Sequence, residues 1–173
     1  MAWRRRTASR RRAGSVAVEF ALIAVAFLGL LMFTLELGFR LYTQIALDYA
    51  TARAARLLEV NSTQQLSASG ATGFQTVTFC PLLAPLLNCA GALIGLRAVG
   101  TDYLTDSRAT PTTLSGTLTQ PAYSAGQSGS LMLLQVTYIG PALTWPFSAG
   151  QTATYNGVAG SAIVSSVPYA NDY

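Results

Sequence analysis

The most informative side chain for chemistry is a glutamate near the start of a long apolar run, because an apolar environment limits how a carboxylate can be charged. Glu19 stands five positions after Gly14 and four after Ser15, within an apolar run over residues 16–39. A carboxylate at the edge of the hydrocarbon layer is costly unless it is neutralised or paired with a cation. The sequence therefore predicts a partner for Glu19 or, as the alternative, a glutamate solvated at the headgroup level.

The apolar run is long enough to cross a bilayer. Residues 16–39 make a helix of about 36 Å, and the hydrocarbon core is about 30 Å thick. The centre of the run, residues 20–33, contains no charged side chain. At its far end Glu36 and Arg40 are four positions apart, which allows an ion pair on one helix face.

The basic residues are concentrated in front of this run. Residues 1–14 contain six arginines and no acid, whereas residues 15–173 contain five arginines and all seven acids. The positive-inside rule places the arginine-rich segment in the cytoplasm and the chain after Arg40 outside. Clustered arginine also attracts nucleic acid. This cluster lacks interleaved aromatic residues and adjoins an apolar helix, so no nucleic-acid partner is expected.

Four interpretations compete for the N-terminal segment: an ordinary single-span anchor, a cleaved secretory signal, a twin-arginine signal and a pilin-type leader. The two export signals fit less well because no small-x-small site closely follows the run, and Ala13 and Gly14 follow the arginines. A pilin-type leader needs a basic peptide, a small residue before the cut and a glutamate at the fifth mature position. A cut between Gly14 and Ser15 meets all three conditions, since Glu19 becomes the fifth residue.

Three segments carry a resemblance to a known family. They are residues 10–22 (RRRAGSVAVEFAL), 36–40 (ELGFR) and 52–56 (ARAAR). With them the chain resembles the TadE-like pseudopilins of the tight-adherence pilus system, which are related to type IV pilins. The likeness is specific over about the first 60 residues and general in pattern beyond them. The last strand of the family often ends in Asn-Glu-Pro-aromatic, and here Pro168 and Tyr169 are kept without the acid.

The resemblance implies a function and a set of partners. A prepilin peptidase would remove residues 1–14, and the mature helix would enter a pilus or its assembly complex. In such pilins the partner of the glutamate is the free amine of a neighbouring subunit, which cleavage would create at Ser15. The expected role is that of a minor pseudopilin in pilus assembly and surface attachment. The partners are then the membrane, the peptidase, other pilin subunits and the assembly platform.

The expected location is the bacterial inner membrane, as a single-pass protein with a cytoplasmic N-terminus and a periplasmic or extracellular C-terminal domain. Incorporation into the pilus is the other location that the resemblance allows. A rival interpretation from another class is an unprocessed, membrane-anchored binding domain outside the cytoplasm. The N-terminus of the mature chain separates the two.

The helix is expected to continue beyond the membrane. Residues 40–60 contain no glycine or proline and are rich in good helix formers. An apolar stripe recurs there at helical spacing, and the outer half of the helix is expected to pack on a domain. Residues 61–63 are a plausible stop. The members of the stripe are Leu37, Leu41, Ile45, Tyr49 and Ala52.

A β-rich domain follows. Residues 74–80, 92–99, 131–139 and 161–167 are predicted strands, and residues 105–129 a long surface connection. The expected fold is α+β: a long N-terminal transmembrane and amphipathic helix packed on a small antiparallel sheet, as in pilins. We expect a leader at residues 1–14, a continuous helix at 15–60 with its membrane half at 16–39, and an extracytoplasmic domain at 61–173. A second span over residues 82–96 is disfavoured because it is short and contains Pro85 and Asn88.

Two cysteines lie in this domain, and they suit an oxidising compartment. Cys80 and Cys89 enclose a short segment, so a structural disulfide is favoured over two buried thiols. The chain contains no histidine, which removes the commonest general base and the commonest metal ligand. No serine-hydrolase elbow or phosphate-binding loop is present. The sequence predicts a non-enzymatic protein with no catalytic residues, cofactor, metal or small-molecule substrate.

Overall fold

The computed structural model describes residues 7–60, 70–84, 87–99, 116–124, 126, 129–140 and 152–171, with side chains from residue 16 onward. The chain divides into two compact units, Met1–Arg40 and Leu41–Tyr173. The first six leader residues, the helix stop at residues 61–63 and the first part of the 105–129 connection lie outside the described residues.

The first element is one long helix, α1, which spans Thr7–Val60. It starts before the predicted first residue, Ser15, and ends at Val60, the last residue of the predicted range. Its sequence explains its length, because residues 7–60 contain no proline and are dominated by Ala, Leu and Arg.

A five-stranded sheet forms the second layer of the Leu41–Tyr173 unit, with strand order β1-β3-β5-β4-β2. The strands are β1 (Ala92–Ala98), β2 (Gly116–Thr117), β3 (Leu131–Gly140), β4 (Thr152–Tyr155) and β5 (Val158–Ala170). The β1–β3, β3–β5 and β4–β5 pairs are antiparallel, whereas β2 pairs parallel with β4. The predicted α+β class is confirmed, but the sheet is mixed rather than wholly antiparallel.

The strand β3, which lies between β1 and β5, is buried on both faces because its side chains alternate between two clusters. Met132, Leu134 and Val136 belong to the larger cluster, which also holds the buried side of α1. Ile139 belongs to a smaller cluster on the other face, with Leu93. Three of the four predicted strands are thus confirmed as β1, β3 and part of β5.

The part of α1 within this unit, residues 41–60, packs on the sheet through small side chains. Ala46, Leu47, Ala50, Ala54 and Leu58 are buried in the larger cluster at helical spacing. Alanine lets the helix backbone approach the strands closely. Gln44 adds a polar tie, since its Nε2 donates to the Val164 oxygen of β5 at 3.4 Å. The predicted packing of this half on a domain is therefore observed.

The face that packs is not the apolar stripe that the sequence suggested. Leu41, Ile45, Tyr49 and Ala52 are all exposed, with Ile45 at 68%. The alanine-rich face is less hydrophobic than the stripe of Leu41, Ile45 and Tyr49, but it fits the sheet better. Bulky side chains at the contact would hold the helix away from the strands. A large apolar surface therefore stays in contact with solvent on the far side of the helix.

The prediction of a strand at residues 74–80 is wrong. This segment is helical: α2 (Gly70–Phe74), a π-helical turn (Gln75–Phe79) and α3 (Cys80–Leu83). Phe74, Phe79 and Leu83 are fully buried at spacings of five and four, the wider step falling on the π turn. The polarity pattern of residues 74–80 fits both the two-residue period of a strand and the longer period of a helix. In the structure the segment is helical, and its large apolar side chains are buried at helical spacing.

A disulfide and a side-chain amide join this helical segment to the sheet. Cys80 and Cys89 form the predicted bridge, with Cα atoms 5.5 Å apart. Cys89 begins a 3₁₀ turn, Cys89–Gly91, directly before β1. Gln75 Nε2 donates to the Ala92 oxygen at 2.9 Å. The start of β1 is thereby held covalently and by hydrogen bonding.

Two glycines in residues 82–96 stand where a side chain would collide or press against its neighbours. A Cβ at Gly91 would collide with the backbone of Ile139, and a Cβ at Gly95 would lie 3.0 Å from Pro121. Gly91 thus lets the 3₁₀ turn approach the backbone of β3, and Gly95 lets Pro121 pack closely on β1. Among the described residues, the helix long and apolar enough to span a membrane is α1, and the described part of residues 82–96 forms the end of α3, the 3₁₀ turn and most of β1.

The described end of the 105–129 connection is structured rather than a plain surface loop. It contains β2, and Leu118 is buried. The Leu96 amide donates to the Ala122 oxygen at 3.0 Å, and the Ser124 amide donates back to the Leu96 oxygen at 2.7 Å. This backbone pairing covers part of the outer edge of β1, an edge that would otherwise offer unpaired hydrogen-bonding groups.

We expect the buried face and the exposed face of residues 41–60 to respond oppositely to truncation. Leu47→Ala should lower the free energy of unfolding by about 2–5 kcal/mol, because it leaves a cavity in the larger cluster. Ile45→Ala is the matched control, and its cost should stay below about 0.5 kcal/mol. Denaturation of the full chain in detergent, followed by near-ultraviolet circular dichroism, measures both. Equal losses would contradict the assigned packing face.

We expect the core to lose stability at alkaline pH through two tyrosines. Burial raises the pKa of Tyr123 and of Tyr169 to about 12 each, and their mutual repulsion adds to the pKa of Tyr123. The unfolded state ionises near pH 10, so stability is complete below that pH and falls as the pH rises towards 12. Denaturation midpoints measured from pH 8 to pH 12 test this.

Tyr169→Phe should flatten that decline. Its hydroxyl oxygen is buried and has no hydrogen-bond partner among the described residues. At neutral pH the substitution should therefore be neutral or stabilising, by up to about 1 kcal/mol. Tyr42→Phe, at a half-exposed position on α1, is the control. A marked loss of stability in Tyr169→Phe at neutral pH would show that the hydroxyl is satisfied in the folded protein.

Candidate functional site

The predicted processing and docking residues lie in the N-terminal part of α1. Gly14, Ser15 and Glu19 are all in helical conformation. Ser15 and Glu19 are four residues apart, so they lie on the same side of the helix, one turn from each other. The Glu19 side chain is exposed. The geometry places a terminal amine at Ser15, if one is created, within one turn of a carboxylate on the same helix face.

The surroundings of Glu19 are apolar. From Val16 to Leu30 the large side chains of α1 are more than half exposed. None of the most apolar part of this helix is buried by the rest of the chain. Surface of this kind needs lipid or another apolar helix to cover it. The site is therefore a carboxylate on a stretch of helix whose large apolar side chains are exposed on all sides.

The far end of this helical stretch carries the predicted ion pair. Arg40 Nη2 donates to Glu36 Oε1 at 2.8 Å, and the carboxylate is the better shielded of the two groups. The pair balances charge where the apolar run gives way to the more polar residues 41–60. On a solvated helix surface an i,i+4 pair contributes about 0.3–0.5 kcal/mol.

Residues 41–60 add a surface that the sequence did not identify as part of a site. Its apolar members are the exposed Leu41, Ile45 and Tyr49, and Arg53 and Arg56 follow them. The stripe was visible in the sequence, but its exposure depends on which helix face packs on the sheet. That choice is made by non-local contacts, so only the structure reveals it.

The described residues contain no group of three or more His, Cys, Asp or Glu side chains that could hold a metal ion. The two cysteines are joined in the disulfide. The strongest pKa shifts belong to the tyrosines of the core, where burial is the main cause. The distinctive chemistry of the described residues is therefore that of helix surfaces.

These features define the class of the protein: a single N-terminal apolar helix that fits a single-pass membrane anchor, joined to an α+β unit with one disulfide. Residues 14–56 match the family model described as "TadE-like protein". The resemblance noted in the sequence is confirmed over those residues, and it indicates a role associated with the tight-adherence pilus. No curated protein and no solved structure matches the chain.

Proposed function

We propose that the protein is a minor pseudopilin that acts in the assembly of a tight-adherence, type IV-like pilus and in surface attachment. One observation supports this above the others. The spacing of Gly14, Ser15 and Glu19 coincides with the start of the family match at residue 14 and with the head of an uncovered apolar helix. An ordinary anchor needs neither the small residues nor the carboxylate.

The proposed chemistry begins with removal of residues 1–14 by a prepilin peptidase. Hydrolysis of the Gly14–Ser15 peptide bond leaves a carboxylate on the leader and a protonated amine on Ser15. Glu19 of one subunit then pairs with the Ser15 amine of a neighbouring subunit. Two opposite charges at about 4 Å attract each other far more strongly in a poorly solvated site than in water. The pair thereby lowers the cost of both charges near the hydrocarbon layer.

The exposed surface of residues 16–39 supports the same proposal. In the membrane, lipid chains cover it, and in an assembled complex, neighbouring helices of the same kind can take their place. Lipid tails are as apolar as leucine, so the exchange costs little hydrophobic free energy. A polar pair such as Glu19 with an amine then supplies the preference for a particular neighbour.

The proposed location follows from the charge pattern. The arginine-rich leader stays in the cytoplasm, the helix crosses the inner membrane, and the α+β unit lies outside the cytoplasm. The disulfide suits that oxidising side. The partners are the membrane, the peptidase, other pilin subunits and the assembly platform. The role is structural, with no enzymatic activity and no nucleic-acid or small-molecule ligand.

Replacing Gly14 with a bulky residue should abolish processing. In Gly14→Leu a bulky side chain stands directly before the cut, where the wild-type glycine has only a hydrogen. The peptidase should then fail to accept the site and leave residues 1–14 attached. Gly14→Ala is the small-residue control and should still be trimmed. N-terminal sequencing of the chain from its native membrane reports the outcome. A wild-type chain that retains the arginine leader would instead favour an unprocessed, anchored binding domain.

Neutralising Glu19 should separate processing from incorporation. Glu19→Ala and Glu19→Gln should still start at Ser15, but their recovery in the pilus or assembly complex should fall by about tenfold or more, as expected for loss of a poorly solvated charge pair. Glu36→Gln is the matched control, because it removes a carboxylate at the far end of the apolar run, where its partner is Arg40. Unchanged recovery of both Glu19 variants would contradict the docking role.

A further inference from the structure

The long strand β5 is paired along only part of one of its two edges. On one side β3 pairs with it from Ser161 to Ala170, whereas on the other side β4 pairs with it only from Val158 to Ser161. Among the described residues, no strand lies beside β5 beyond Ser161 on that second side. We call the second side of residues 162–166 the open edge. A further strand of about five residues, or roughly 17 Å, has room there.

The backbone groups that face the open edge belong to alternate residues, Ala162, Val164 and Ser166. In an antiparallel pair, each residue either exchanges both of its hydrogen bonds with the neighbouring strand or points both groups away from it. Proline is confined to positions whose N–H would not enter the ladder, so Pro168 points away from β3. The Val164 oxygen likewise meets the side chain of Gln44 rather than β3. The even-numbered residues of this part of β5 therefore face outward.

Most of these outward groups have no hydrogen-bond partner among the described residues. The exception is the Val164 oxygen, which accepts a hydrogen bond from Gln44 Nε2 at 3.4 Å. That distance is longer than the usual range of about 2.7–3.2 Å. The N–H groups of Ala162, Val164 and Ser166 and the oxygens of Ala162 and Ser166 remain. Ser166 is exposed and the other two residues are partly exposed, so water can reach the row.

The composition of β5 does not protect this edge in the usual way. Natural edge strands are often very short or carry charged side chains that discourage a further strand. β5 has thirteen residues and no charged side chain. The other side of the sheet differs, because Ala122 and Ser124 pair with the outer edge of β1 at Leu96. The open edge is thus the longer and the less protected of the two.

We propose that the open edge binds an extended segment of another protein, which adds a strand to the sheet. A row of alternating N–H and C=O groups is complementary to another extended backbone. An N–H of the segment would replace Gln44 at the Val164 oxygen. Ile163 and Val167 are partly buried on the face that holds α1 and would lie beside alternate side chains of the segment. The segment is therefore uncharged and carries apolar side chains at alternate positions.

This edge specifies the conformation of its partner, which the exposed apolar face of residues 41–60 does not. The inference goes beyond the proposed function, because an anchored domain that keeps its leader would present the same edge.

A second copy of this chain fits the open edge less well. Two identical edges pair antiparallel about a two-fold axis perpendicular to the joint sheet. Such an axis reverses the direction of residues 41–60, which pack on the sheet. Copies anchored in one membrane must instead present this helix in the same direction. The geometry therefore favours a segment of a different protein.

Amide hydrogen exchange in the full chain tests whether the edge is open. Nuclear magnetic resonance of the labelled protein in detergent micelles follows the amides of β5 one by one. Val164 and Ser166 should exchange at least about tenfold faster than Ser165 and Val167, whose amides face β3. Equal protection of the two sets would show that the edge is already covered, and the proposal would fail.

A strand-forming peptide then serves as the probe for binding. It is a capped peptide of about seven alternating valine and threonine residues, both of which favour extended backbone. At saturation it should slow exchange of the Val164 and Ser166 amides by about tenfold and leave Ser165 and Val167 unchanged. The fully N-methylated peptide has the same side chains but no N–H to donate, and it is the control. Protection by both peptides, or by neither, would contradict strand addition.

A proline at an outward position blocks the edge without removing a bond to β3. Ser166→Pro removes one outward N–H, and Pro168 shows that β5 accepts proline at this alternation. Ser166→Ala keeps the N–H and is the matched control. We expect Ser166→Pro to weaken probe binding by about tenfold or more and Ser166→Ala by less than about twofold.

Ala162→Pro blocks the other end of the open edge and is the second variant. Near-ultraviolet circular dichroism and an intact disulfide confirm that each variant is folded. A folded proline variant that binds the probe as tightly as the wild type would refute the role of the open edge.

Recovery of the same variants from native membranes separates this inference from the proposed function. Ser166→Pro should be trimmed at Ser15 like the wild type but lost from the pilus or assembly complex, whereas Ser166→Ala should be retained. If Ser166→Pro is also retained, the open edge binds no partner there and the inference is wrong, while the pseudopilin role stands. If the wild-type chain keeps its leader, the proposed function fails, and the exchange and peptide measurements still decide the inference.

Discussion

The uncovered apolar surface of α1 is the constraint on which the rest of the molecule depends. None of its most apolar part is buried by the rest of the chain, and large side chains such as Phe20 and Val25 are more than two-thirds exposed there. Moving one such side chain out of water is worth about 1.5–3 kcal/mol, so the sum over residues 16–39 far exceeds the stability of a typical domain. The helix therefore exists for an apolar environment that its own chain does not supply.

Residues 41–60 meet a second demand, because they serve the fold with one face and leave the other available. The packed face relies on alanine and on Leu47 and Leu58, whereas the bulkier Leu41, Ile45 and Tyr49 point away from the sheet. A fold selected for stability alone would bury the larger side chains, since they remove more apolar area from water. Leaving them exposed is a cost, and an interface that covers them would recover it. This distribution of size between the two faces is the strongest sign of a partner in the described residues.

Local signals in the sequence were sufficient for the long helix, the Glu36–Arg40 pair, the disulfide and the strands β1, β3 and β5. They failed where structure is decided by distant contacts. The sequence of residues 74–80 is compatible with a strand and with a helix. Only the burial of Phe74 and Phe79, which are five residues apart across the π-helical turn, decides between the two. The short strands β2 and β4 pair with each other across more than thirty residues and carry no pattern of their own. For the candidate site, Gly14, Ser15 and Glu19 were visible from spacing alone, whereas the exposure of Leu41, Ile45 and Tyr49 could not be known without knowing which helix face packs on the sheet.

Register is the problem that a charged group solves on such a helix. Residues 20–33 are all apolar, with alanine and glycine as the small members. Two helices of this type could therefore slide past each other with little change in contact energy. A single polar pair breaks that degeneracy, because all other registers leave a charge unpaired in a poorly solvated place. In the proposed assembly Glu19 does this at the edge of the hydrocarbon region, because its carboxylate can meet the Ser15 amine of a neighbouring copy in only one register.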